Sequence, residues 1–225
     1  MKTRLFICVC ILFSLLSCSS SEKEQLETAL AFADTNRAEL EKVLEYYKND
    51  SLKLKAAIYL IENMPLYYTY KGSDLDSLHI ALEQYAVSDS YDKHLEYLKR
   101  FPYRNLFKEY DAKVITSEYL IENIEYSFKV WRETPWGKYV SFDNFCEFIL
   151  PYRIKDEPLT HWKKDFYHRF KPVLDSLYQG TDVVEATSCL SNYATSLHWK
   201  YQNELTGPHL SAQLLLELQL GDCTS

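Results

Sequence analysis

The sequence predicts an all-α protein, and three observations carry that expectation. Apolar residues recur at i, i+3, i+4 and i+7 through successive segments, the spacing of one helical face. Nineteen tyrosines and 15% aromatic residues stand against only five glycines in 225 residues, which favours helices packed through large rings over a turn-rich β architecture. No segment alternates convincingly as a strand, and none repeats strongly enough for a solenoid. With 47% hydrophobic and 25% charged residues the chain has an ordinary globular composition, which excludes disorder as its general state.

Residues 1–17 read as an export signal. Lys2 and Arg4 form a basic start, an apolar run covers Leu5 to Leu16, and Ser17-Cys18 follow. The run is too short for a bilayer core of about 30 Å, which needs about 20 residues. Leu15-Leu16-Ser17-Cys18 resembles the bacterial lipoprotein signal, in which cleavage leaves the cysteine as a lipid-modified N-terminus. That resemblance makes Cys18 a lipid anchor and the membrane a partner, each buried methylene contributing about 0.8 kcal/mol. Residues 18–24 are then anchor and tether, and their acidic SSSEKE run resembles the tag that sends some Gram-negative lipoproteins to the cell surface. The expected location is the cell envelope, with the outer membrane favoured.

Loss of Lys2 and Arg4 with the signal takes the formal charge from −7 to −9. Nucleic acid is excluded as a partner, because phosphate binding needs a basic face. Of six cysteines, Cys8 and Cys10 leave with the signal. Cys146, Cys189 and Cys223 remain beside the anchor, an odd number that argues against a complete disulfide framework.

Residues 25–111 read as a helical N-terminal domain. Leu40, Val43, Leu44 and Tyr47 define one helix; Leu54, Ala57, Ile58 and Ile61 define the next, with Asp50 as its cap. Met64-Pro65 closes this hairpin. The cluster Tyr67, Tyr68 and Tyr70 leads to Gly72, a helix over 74–88 and a further one across YDKHLEYLKRF.

Residues 112–225 read as a second unit. A helix over 112–133 carries Ile121, Ile124, Phe128 and Trp131 on one face and stops at Thr134-Pro135-Trp136-Gly137. Ser141 caps a short helix with Phe142, Phe145, Cys146 and Ile149 on its buried stripe, ended by Pro151. This places Cys146 among apolar neighbours as an inert thiol. A helix with Trp162, Phe166, Phe170, Val173 and Leu177 on one side should be kinked or divided by Pro172. Another covers 183–204 and puts Cys189 on a face with Ala186, Leu190, Tyr193 and Leu197. Gly207-Pro208 breaks the chain, Ser211 caps, and Leu214, Leu215 and Leu218 form the last amphipathic turns.

Little of this carries recognisable chemistry. The six histidines show no zinc spacing, so no metal site is expected. The scattered glycines form no phosphate-cradling loop, and no cofactor is implied. Abundant carboxylates lie on wet helical faces and single out no general acid. Trp136, in its Pro-Trp-Gly turn, is the aromatic least suited to the core and the candidate contact for a glycan or peptide ligand.

Asn36-Arg37-Ala38-Glu39-Leu40-Glu41-Lys42-Val43-Leu44, Lys55-Ala56-Ala57, Glu62-Asn63-Met64-Pro65, SEYLIENIEYSFKVW, SFDNFCEFILPYR and LSAQLLLELQLGDC together resemble exported bacterial proteins with a transglutaminase-like domain. The block from Trp136 to Arg153 is the most specific part. The resemblance implies that 112–225 are the opening helices of a papain-like α+β core, its sheet missing here. It places the nucleophile on Cys223, after the Gly221-Asp222 turn, with a histidine and an aspartate later in the family's chain completing the triad. All six histidines of this sequence precede Cys223, and a base such as His198 or His209 would require a rearranged triad. The resemblance therefore implies thiol-based amide hydrolysis or acyl transfer for a longer parent, cut just past its nucleophile, and an idle Cys223 in these 225 residues. The alternative is a helical surface lipoprotein that binds glycan or peptide through Trp136. Nothing in the residues sets an oligomeric state.

Overall fold

Helices dominate the computed structural model, which describes residues 23–75, 77, 78, 80, 105–197, 200, 201 and 209–221. Residues 23–32 form α1, whose Ala29 and Leu30 are buried, and Arg37–Tyr46 form α2. Asp50 starts α3, Ser51–Asn63, by accepting the Lys53 amide at 3.1 Å. The buried stripe of α2 is Leu40 and Val43. That of α3 is Ala56, Ala57, Leu60 and Ile61, so Ala57 and Ile61 are buried as the spacing predicts while Leu54 and Ile58 are only half-buried.

The tyrosine cluster corrects the expectation that no strand exists. Tyr68–Lys71 is strand β1, paired antiparallel with β2, Phe107–Tyr110, so that Tyr68 faces Tyr110 and Lys71 faces Phe107. Each strand is too short to show a period of two by itself, and its partner lies far along the chain. Thr69 is buried, and the Tyr68 ring meets that of Tyr70 in the same strand edge-on at 5.4 Å and that of Tyr110 at 6.0 Å, the latter the cross-strand packing that aromatic residues favour. Gly72 ends the strand at φ 148°, where a Cβ would stand 2.0 Å from the Asn105 carbonyl oxygen. The described residues from 73 to 80 are helical and form α4. The rest of the 74–88 helix, and the one across YDKHLEYLKRF, lie outside the described residues.

Helix α5, Ser117–Glu133, is the axis of the molecule. Thr116 caps it through the Tyr119 amide at 3.2 Å, and Asp111–Lys113 form a separate 3₁₀ turn, so the helix starts later than the expected residue 112. Its buried face carries Tyr119, Leu120, Asn123, Ile124, Ser127 and Phe128, and it packs on α2 and α3. Leu40, Val43 and Ile61 share one buried cluster with Leu120, Ile124, Phe128, Phe145 and Leu150.

Glu39 links α2 to the start of α5. Its Oε2 accepts from both the amide and the hydroxyl of Ser117 at 2.7 Å, a carboxylate at a helix N-terminus. The Lys42 ammonium and these Ser117 donors pull its carboxyl down to about 2. A carboxyl held below its unfolded value stabilises the fold at pH above about 4.5, and the contribution disappears as pH falls toward 2. The denaturation midpoint of Glu39→Gln is therefore expected to fall less steeply over that acid window than the wild type's; equal slopes would contradict this role.

Ser141 accepts from the Asn144 amide at 3.2 Å and starts α6, Phe142–Phe148. Helix α7, Trp162–Leu177, packs on α5 and contains Pro172 in its interior, so of the kink or division expected at that residue the division does not occur. Pro172 and His168, the residue four positions before it, are both exposed, so water can satisfy the carbonyl that loses its donor. Helix α8, Val183–Ser196, is capped by Asp182 at the Val184 and Glu185 amides. It ends well before residue 204, because the Leu197 amide turns back to Ala194 and Lys200–Tyr201 continue as a short strand, β3. Ser211 caps α9, Ala212–Leu218, through the Leu214 amide; Gln219 is left-handed, and Leu220–Gly221 form β4, parallel to β3. Among the described residues the fold is mostly helical with two small strand pairs, rather than purely α.

Candidate functional site

The turn after α5 is built to hold Trp136 outside the core. The Trp131 indole N–H donates to the carbonyls of Gly137 at 2.9 Å and Val140 at 3.3 Å, tying the turn to the helix. Gly137 fits because it lacks a side chain: a Cβ there would stand 1.7 Å from the Trp131 carbonyl oxygen. Gly137→Ala must displace backbone, and we expect it to lower the unfolding free energy by about 1–3 kcal/mol, measured by chemical denaturation. An unchanged midpoint would show that the turn yields freely.

Trp136 is half-buried and lines a cleft of about 170 Å³ with the last turns of α7. Leu174 supplies a buried apolar wall, and Tyr178 and Gly180 border the cleft beyond the helix. The Tyr178 hydroxyl accepts from the Asp182 amide at 2.8 Å and donates to Glu185 at 3.0 Å, which fixes its ring at the start of α8. The polar lining is Glu133, Lys171, Asp175 and Gln179. Lys171 is paired with Asp175 at 2.6 Å, while Glu133 accepts the Tyr167 hydroxyl. Among the described residues, Trp131 and Trp162 both donate their indole N–H to backbone carbonyls, whereas that of Trp136 meets no protein acceptor.

The rest of the aromatic block is core. Trp131 stacks on Phe145 at 4.4 Å, and Phe128 meets Phe145 at 4.7 Å, so these rings line no groove. Tyr139 is exposed.

The most buried charges form a strut that the sequence reading did not single out. Arg153 donates to Asp111 Oδ1 and to the Tyr68 carbonyl, both at 2.7 Å, with almost no exposure of either ionic side chain. Burial raises the Asp111 carboxyl to about 6 against the pull of Arg153 and the neighbouring Tyr152 hydroxyl, so the pair is ionised at neutral pH. A charged residue inside the apolar run ILPYR was the one available sign of it. Nearby, Asp156 holds the ring and backbone N–H of His209, and Glu157 accepts the Ile154 amide at 2.8 Å.

Lys163 is half-buried, with its amine turned inward. Its amine donates to the Ser127 hydroxyl at 2.7 Å and to the carbonyls of Ile149, Leu150 and Pro151, closing the C-terminal end of α6. Burial pulls it down to about 7, but its ring of backbone acceptors leaves no face for a substrate. The Cys146 thiol is buried and pushed up to about 11 by that burial, which keeps it protonated and inert at neutral pH. Cys189 is half-buried, and of its expected face Ala186 alone is fully buried. His161 and His168 are exposed and pair with Glu122 and Tyr126.

The structure brings Trp136 together with Tyr178 and the end of α7. Cys18, Cys223 and His198 lie outside the described residues. Among the described residues, no three of His, Cys, Asp and Glu converge as metal ligands, and no helix is long and apolar enough to cross a membrane. No family model, curated protein or solved structure matches this chain.

Proposed function

We propose that this chain belongs to an exported, lipid-anchored protein of the transglutaminase-like kind, seated in the cell envelope and favouring the outer membrane. In this reading Cys18 carries the anchor, Cys223 is the acyl-accepting thiol, and the helices between them are its scaffold. The supporting observation is the approach to Cys223. Helix α9 is capped by Ser211 and ended by left-handed Gln219, and Leu220–Gly221 then pair with Lys200–Tyr201. Gly221, two residues before Cys223 in the sequence, thus belongs to a paired strand.

The chemistry follows from the thiol. A thiolate adds to an amide carbonyl, the amine leaves with a proton from the base, and water or a second amine cleaves the resulting thioester. The resemblance supplies that base from a histidine after Cys223. A site-resolved iodoacetamide reaction on the product of the natural gene tests the assignment at pH 7. Cys223 should alkylate faster than Cys189 and far faster than Cys146; a Cys223 rate no higher than that of Cys189 would overturn it.

A second reading is a binding module for glycan or peptide at the Trp136 cleft. The free indole N–H of Trp136, against the satisfied ones of Trp131 and Trp162, favours it. It predicts a saturable ligand response that is lost in Trp136→Ala.

A further inference from the structure

The Trp136 cleft offers a specific set of unused groups, and their chemistry narrows the ligand. This step rests on the binding-module reading above. At about 170 Å³ the cleft has room for only a handful of waters, each occupying about 30 Å³. That is far below the roughly 300–1,000 Å³ of a site for a drug-sized ligand, so it takes one ring-sized group and not a stretch of peptide.

Its walls are half apolar and half polar. Trp136 and Leu174 offer apolar surface, and the indole carries one free donor. Lys171 spends its Asp175 pairing on two contacts, at 2.6 and 2.7 Å, which leaves a third N–H. Acceptors are equally available: Gln179 donates its amide N–H to the Asp175 carbonyl and keeps its side-chain oxygen, and Glu133 keeps the oxygen that Tyr167 does not use. An ammonium ligand would use acceptors only and would sit beside Lys171. An anion would face Glu133 and Asp175. A group whose every polar substituent both donates and accepts, carried on a ring with an apolar face, uses the whole set.

We infer that the cleft bounded by Trp136 and Tyr178 is a saccharide subsite that holds a single pyranose ring on the indole, its hydroxyls shared among Glu133, Lys171 and Gln179. Tyr178, fixed by Asp182 and Glu185, closes the cleft without being consumed by the ligand. An isolated subsite of this size binds weakly, in the millimolar range, and gains affinity on a polymer through repeated engagement.

The test follows the indole N–H signals of the purified chain by NMR during titration with the methyl β-glycosides of glucose, galactose and N-acetylglucosamine. At least one glycoside should shift the Trp136 signal saturably while those of Trp131 and Trp162 stay in place. Read from the glycoside's own NMR signals, Trp136→Ala should weaken binding about tenfold or more, and Glu133→Gln severalfold, with the remaining indole signals unmoved as a check on folding. A parallel titration uses Nα-acetyl-lysine amide. If that amine shifts Trp136 and no glycoside does, the saccharide assignment is overturned and the peptide form of the module survives. If neither probe moves Trp136, both are overturned.

Discussion

Replacing Arg153 with methionine lowers the unfolding free energy by about 3–5 kcal/mol, the expected cost of leaving a buried carboxylate without its partner. Asp111 is fully buried and receives Arg153 at 2.7 Å, so the remaining charge has no route to water. The same substitution strips the Tyr68 carbonyl of its donor at the head of β1. Arg153 therefore binds three segments that are far apart in sequence: the first strand, the 3₁₀ turn before α5 and the irregular stretch after α6. The double variant Asp111→Asn with Arg153→Met should recover a large part of the loss, because it leaves neither charge alone. Urea denaturation of the three proteins checks this. A single variant within about 1 kcal/mol of wild type would mean that water reaches the pair.

Phe145→Ala should cost a similar amount, about 3–5 kcal/mol, by a different mechanism. Phe145 has no exposed surface and sits between Trp131, stacked at 4.4 Å, and Phe128, edge-on at 4.7 Å. Truncation removes apolar contact from both rings and leaves a cavity that the short helix α6 cannot close by itself. Trp131 also anchors the turn that carries Trp136, so the substitution loosens the cleft from the core side. A red shift of tryptophan emission should accompany the stability loss; full stability with unchanged emission would contradict this packing.

The parts of the fold legible in the sequence are those decided within one helical turn. Asp50, Ser141 and Ser211 were identifiable as caps because each accepts an amide three residues ahead. The stripe of Phe142, Phe145 and Cys146 followed from spacing, as did the burial of Leu40 and Val43. What stayed hidden depends on distant partners. Tyr68–Lys71 becomes a strand because Phe107–Tyr110 pairs with it, and four residues are too few to announce that choice. Arg153 finds Asp111 only after α5 and α6 fold back, and Tyr178 reaches the Trp136 turn only because α7 packs along α5. Pro172 leaves its helix undivided for the opposite reason. Its local rule is sound, but an exposed helical face lets solvent absorb the lost hydrogen bond.

Trp136 illustrates how far composition and context reach. The Pro-Trp-Gly turn marked it as the ring least suited to burial, and it is half-buried at a cleft. Lys171 and Asp175, which line the cleft with it, come from a helix whose sequence shows only an amphipathic face, and Gln179 follows that helix.

The central proposal is that the scaffold serves a thiol at Cys223, and amide turnover by the natural gene's product tests it most directly. The prediction is hydrolysis of an amide or isopeptide substrate that requires reducing conditions and vanishes in Cys223→Ala, while Cys146→Ala and Cys189→Ala retain it. Turnover that survives Cys223→Ala, or a wild-type protein without thiol-dependent turnover, would contradict the account.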